Sequence, residues 1–168
     1  MCEDTPDRLE RPPRRTPLAA SRDHQGLPQQ PDAAHFGLWL QREAGARWRA
    51  GDTALLLWVE PEADLARTHP ERGAPVLAEA GRLLRHRLRA VDWVWQVGTQ
   101  AVVAVLFVPD ASVQTCVLTR ARQALSAPMV LDGDLLRVRL RAGAASLSGP
   151  HAEARDLLDA ARRHCQGA

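Results

Sequence analysis

From residue 33 onward the chain alternates between hydrophobic runs with a helical period and runs that are continuously apolar. Phe36, Leu38, Leu40 and Trp48 lie among helix formers, which predicts a helix from about Ala33 to Arg49, closed by Gly51. Thr53 to Val59 is an unbroken apolar run, the mark of a strand buried on both faces, and Pro61 ends it. Between Pro75 and Leu88 the apolar residues Val76, Leu77, Ala80, Leu83, Leu84 and Leu88 follow a 3.6-residue period. Arg82, Arg85 and Arg87 occupy the opposite face. Asp92 to Val97 and Ala101 to Val108 are strand-like on either side of a turn at Gly98 to Gln100, a β-hairpin. Asp110 is a suitable N-cap for a helix reaching about Leu125. Met129 to Leu131 and Leu135 to Ala145 read as strands about the turn Asp132-Gly133-Asp134, and Pro150 to His164 as a final amphipathic helix.

This order mixes parallel crossovers with antiparallel hairpins and therefore predicts an α/β fold, a mixed central sheet with flanking helices. Residues 1 to 31 are rich in Pro, Arg, Asp and Gln and lack apolar periodicity. They are expected to form a disordered tail, leaving residues 32 to 168 as one domain. Trp93 and Trp95 share one face of their strand, and sheet core is the role expected for them.

Composition narrows the chemistry. All 22 basic residues are Arg, and Lys, Asn, Ile and Tyr are absent, a bias that follows GC-rich codons and gives no reason to expect nucleic-acid binding. A mean hydropathy of −0.28 and the lack of a long apolar run predict no membrane span. With no apolar leader segment at the N-terminus, a cytoplasmic location is expected. Cys2, Cys116 and Cys165 are far apart, and no histidine stands at ligand spacing, so neither a metal nor a cofactor is expected.

The residues around the hairpin carry a resemblance. Arg89-Ala-Val-Asp92, five spacer residues, and then Gly98-Thr99-Gln100-Ala101-Val102 resemble the Arg-x-x-Asp and Gly-Gly-Asp/Glu-Glu-Phe elements of GGDEF domains, the fold of diguanylate cyclases. Gly26-Leu27-Pro28-Gln29-Gln30 is similar to the family's Thr-Gly-Leu-Pro-Asn-Arg entry motif. Val138-Arg-Leu-Arg-Ala-Gly-Ala-Ala145 is similar to its Val-Thr-Val-Ser-Ile-Gly-Val-Ala segment. The likeness spans roughly residues 24 to 165, although the family's Ala-Leu-Tyr-x-Ala-Lys ending is missing.

The resemblance implies a domain that has lost synthesis of cyclic di-GMP. Of the family's two metal-binding carboxylates, the first falls on Trp58 or Val59 and the second on Gln100, a poor magnesium ligand. The next Glu of the signature is Ala101, and the guanine-reading Asn has no counterpart. No catalytic residue is therefore expected. The surviving Arg89 and Asp92 correspond to the family's separate inhibitory site for cyclic di-GMP, where the Arg meets phosphate and guanine and the Asp accepts from the base. A supporting Arg from the next helix matches Arg122, with Arg120 as the alternate and Arg85 as a further candidate.

The implied function is a cyclic di-GMP receptor acting on a protein partner, with regulation of exopolysaccharide production or biofilm formation as the family context. The alternative is a ligand-free pseudoenzyme scaffold or dimerisation module, with a homodimer as its form. Arg49-Ala-Gly-Asp52 repeats the Arg-x-x-Asp spacing, so a plain structural role for Arg89 and Asp92 also stays open.

Overall fold

The computed structural model describes residues 26–47, 53–109, 111–148 and 154–167. One two-residue strand and two nine-residue strands join the expected hairpin in a five-stranded sheet of order β1-β3-β4-β2-β7. These are β1 (Gln29–Gln30), β2 (Thr53–Pro61), β3 (Trp93–Val97), β4 (Ala101–Val108) and β7 (Leu140–Ser148). β1 pairs in parallel with β3, while β3–β4, β4–β2 and β2–β7 are antiparallel. With α3 (Gly73–Arg87) after β2 and α4 (Ala111–Leu125) after β4, the segment β2-α3-β3-β4-α4-β7 is a split β-α-β-β-α-β unit, in which each crossover spans one intervening strand.

Ala54 to Val59 are all buried, and because side chains alternate along a strand they need cover on both faces. α1 (Ala33–Arg47) and α5 (Ala154–Gln166) cover one face. There Trp39 lies 4.5 Å from Trp95 and 4.8 Å from Trp93 between ring centroids, which places both strand tryptophans in the sheet core. α3 (Gly73–Arg87) and α4 (Ala111–Leu125) cover the other, packing Val76, Leu77, Leu84, Val117 and Ala121 on Leu55, Leu57 and Val59.

Several elements differ from their sequence reading. The ordered chain starts before residue 32, because Leu27 is buried against Gly81 and β1 extends the sheet. Residues 61–73, which showed no pattern, form α2 (Ala63–Thr68) and one 3-10 turn (Pro70–Arg72). The strand expected at 135–145 is two strands. β6 (Asp134–Leu136) pairs with β5 (Met129–Leu131) as a separate two-stranded ribbon, turning at Asp132 and Gly133, whose φ values are 53° and 90°. The chain then crosses to the main sheet as β7. The first 25 residues, Trp48, Arg49, Asp52, Asp110 and Pro150 lie outside the described residues. Among the described residues, no helix is long and apolar enough to cross a membrane.

The approach of α5 to β7 is close enough to demand glycine. A Cβ on Gly143 would stand 2.2 Å from both the Ala161 carbonyl oxygen and the Cys165 nitrogen, whereas one on Gly37 in α1 would meet only Leu158 Cδ2, at 3.5 Å. Gly143→Ala is therefore expected to destabilise the fold by about 1–3 kcal/mol. Gly37→Ala should stabilise it by about 0.5–1 kcal/mol through helix entropy. Urea unfolding midpoints of the two variants should move in opposite directions.

Candidate functional site

The pair singled out in sequence sits where α3 leaves one layer and the chain enters the sheet as β3. Leu88 N–H donates to the Leu84 carbonyl and closes the helix, and the next four residues make a tight turn. Asp92 N–H donates to the Arg89 carbonyl at 3.0 Å, and Arg89 N–H donates back to Asp92 Oδ2 at 2.8 Å. The carboxylate thus holds the turn that presents Arg89. Asp92 is only 8% exposed, while the Arg89 side chain is exposed and Val91 beside it is 64% exposed.

The electrostatics follow from that burial. Loss of solvent pushes the Asp92 carboxyl above its ordinary value, partly offset by the Arg89 N–H and by the positive charges of Arg89 and Arg120. Of the two α4 candidates, Arg120 is the one whose charge reaches Asp92. Arg122, two residues on, points about 200° further round the helix. Arg85, Arg89, Arg120 and Arg122 are all exposed, and among the described residues none of them forms an ion pair.

Residues 98–102 form the β3–β4 turn and the first residues of β4. Gly98 has a φ of 54°, its N–H donates to the Gln30 carbonyl at 2.8 Å, and a Cβ there would meet the Pro31 carbonyl oxygen at 2.8 Å. Gln96 Nε2 donates to the Gly98 carbonyl at 3.2 Å, tying the strand end to the turn. Thr99 and Gln100 are exposed, but Ala101 and Val102 are fully buried, one on each face of the sheet. At the end of β2, Trp58 and Val59 are likewise fully buried on opposite faces.

Glu60, the carboxylate nearest these positions, is already engaged. It accepts the Trp58 indole N–H at 2.6 Å and the Arg141 guanidinium at 3.0 Å, and the Arg162 guanidinium lies 5.2 Å from the centre of the Trp58 ring. Among the described residues, no three His, Cys, Asp or Glu side chains come together as a metal site. The Glu60–Arg141 contact, unlike the Arg89–Asp92 spacing, carried no sequence signal: it joins residues 81 positions apart.

Arranged this way, the chain has a GGDEF-like fold. It superposes on the GGDEF domain of FimX from Pseudomonas aeruginosa with a TM-score of 0.70 at 21% identity, covering 89% of this chain and 94% of that one. The GGDEF domain of DgcB from Caulobacter crescentus, solved in complex with c-di-GMP, gives 0.68 at 15% identity, covering 89% and 90%. The diguanylate cyclase SiaD from Pseudomonas aeruginosa, solved with its activator SiaC, gives 0.69 at 21% identity, covering 88% of this chain and 58% of SiaD. No protein-family model and no curated protein matches the sequence. At these identities the likeness is one of fold.

Two Asp92 variants separate the turn from its charge. Asp92→Ala removes the acceptor for Arg89 N–H and should cost about 1–2 kcal/mol of stability. Asp92→Asn keeps an acceptor and should cost less. A raised carboxyl pKa means that the folded state binds the proton more tightly than the unfolded chain. The Asp92 contribution therefore favours the fold below the ordinary carboxyl pKa and is lost as pH rises through the raised value. In Asp92→Asn that loss should disappear, so the urea midpoint of the variant relative to the unaltered protein should rise as pH goes from about 3 to 7.

Proposed function

We propose that this domain is a cyclic di-GMP receptor without cyclase activity, binding the dinucleotide at the Arg89–Asp92 turn with help from Arg120. The observation that carries this reading is an exposed Arg89, free of ion pairs among the described residues, on a turn closed by the buried Asp92 carboxylate. A guanidinium fork matches a phosphate or the O6/N7 edge of guanine in two parallel hydrogen bonds. The second Asp92 oxygen is the natural acceptor for a guanine N–H. Exposed Arg85, Arg89 and Arg120 together give this end of the α3–α4 layer a positive charge suited to a doubly negative ligand. That one protein of the same fold was solved with c-di-GMP supports the choice of ligand.

The absence of cyclase activity rests on the other end of the sheet. Both positions for the first metal ligand are core residues, the second is Gln100, and Glu60 is held by Trp58 and Arg141. Output passes to a protein partner, and control of exopolysaccharide production or biofilm formation is the context that the resemblance implies.

A ligand-free scaffold is the second reading, and one observation favours it: Asp92 already has a structural task in capping the turn. Isothermal titration separates the two. With the unaltered protein, cyclic di-GMP should bind with a micromolar or tighter Kd, GTP should give no heat, and incubation with GTP and magnesium should yield no cyclic di-GMP. Arg89→Ala should weaken binding about a hundredfold or more while leaving the urea midpoint unchanged. No heat at high ligand concentration would leave the scaffold reading, and product from GTP would overturn the loss of catalysis.

A further inference from the structure

The opposite end of α3, about 22 Å from Arg89 along the helix, borders a cleft of about 390 Å³. It opens between α2, the first turn of α3 and the β5–β6 ribbon with the extended chain that follows it. The floor is apolar: Leu65, Val76, Leu136 and Val138 are at once cleft lining and part of the core on the α3–α4 side. The rim is basic. Along residues 136–140, Leu136, Val138 and Leu140 pack inward, while the alternating Arg137 and Arg139 stand exposed at the cleft.

Arg137 and Arg139 both line the cleft, and among the described residues neither has an ion-pair partner. Arg72, also on the rim, approaches Glu71 only to 4.0 Å. The cleft is also lined by Asp64 of α2, which is paired with Arg67, and by the N-cap residue Glu62, whose backbone N–H donates to the Arg139 carbonyl at 3.1 Å. The Glu62 carboxylate has no ion pair among the described residues.

We propose that this cleft binds a small organic anion, an apolar body lying on the Leu136–Val138 floor with a phosphoryl or carboxylate head held by Arg137 and Arg139. Neighbouring like charges repel, and an oxyanion between them relieves that repulsion while accepting directional N–H bonds. Glu62 fixes the orientation, since it repels an anionic head on the α2 side and favours a hydroxyl or amine there. The volume lies at the small end of the range for ligand pockets, about 300–1,000 Å³, which suits a single-ring compound better than a dinucleotide. The site is separate from the Arg89–Asp92 turn and stands or falls independently of it.

The test titrates the full chain with 1-anilinonaphthalene-8-sulfonate, a fluorescent apolar anion, and then adds phenyl phosphate, benzoate or benzyl alcohol as competitors. Saturable binding of one probe per chain is expected, displaced by phenyl phosphate, benzoate or both, and not by benzyl alcohol at the same concentration. Displacement by phenyl phosphate alone would assign a phosphoryl head, and by benzoate alone a carboxylate. The double variant Arg137→Gln/Arg139→Gln, with folding checked by circular dichroism, should bind the probe at least about tenfold more weakly. Arg155→Gln, an exposed change on α5, should bind it unchanged. Absence of saturable binding, equal displacement by benzyl alcohol, or undiminished binding in the double variant would each overturn the proposal.

Discussion

Burial of β2 on both of its faces is the constraint from which the arrangement follows. Six consecutive side chains, from Ala54 to Val59, are at most 2% exposed, so the sheet must be covered twice. One layer comes from α1 and α5, the other from α3 and α4, and the chain must cross between layer and sheet at defined points. The Arg89–Asp92 turn is one such crossing. On its sheet side the turn is anchored by the packing of Trp93 and Trp95 against Trp39, so its position is set by the core rather than by loop preferences. A rigid base of this kind favours recognition, since little ordering has to occur when a ligand arrives.

How much of this was legible depended on whether local pattern and tertiary role coincided. β2 and the β3–β4 hairpin coincided well, because burial on both faces leaves an unbroken apolar run and the intervening turn is marked by glycine. α2 did not, being six residues between prolines at 61 and 70, too short to display a helical period. β6 and β7 were merged for the opposite reason. The alternation Leu136-Arg-Val-Arg-Leu140 continues smoothly through the point where the chain changes sheets, so pattern alone cannot mark the crossing. The two-residue β1 is all glutamine, and only the single buried Leu27 before it signals that the tail has joined the fold.

The site was legible as a spacing and illegible as a geometry. Arg89 and Asp92 could be picked out by their distance from Gly98, but the hydrogen bond from Arg89 N–H to Asp92 exists only once the turn forms. The choice between Arg120 and Arg122 depends on how α4 is rotated on the sheet. That rotation is set by the burial of Val117, Ala121 and Leu125 and cannot be read from the Arg residues themselves.

The sealing of the β2 end by Trp58, Glu60, Arg141 and Arg162 limits which substitutions this end can accept. An aspartate at position 58 would replace one of the largest fully buried side chains with a charge, and a glutamate at 101 would put a second charge into the same core cluster. Each change costs several kcal/mol against a typical total stability of about 5–15 kcal/mol. A charge at either position would take up a large part of that margin, so the packing at this end resists the introduction of a carboxylate into its core.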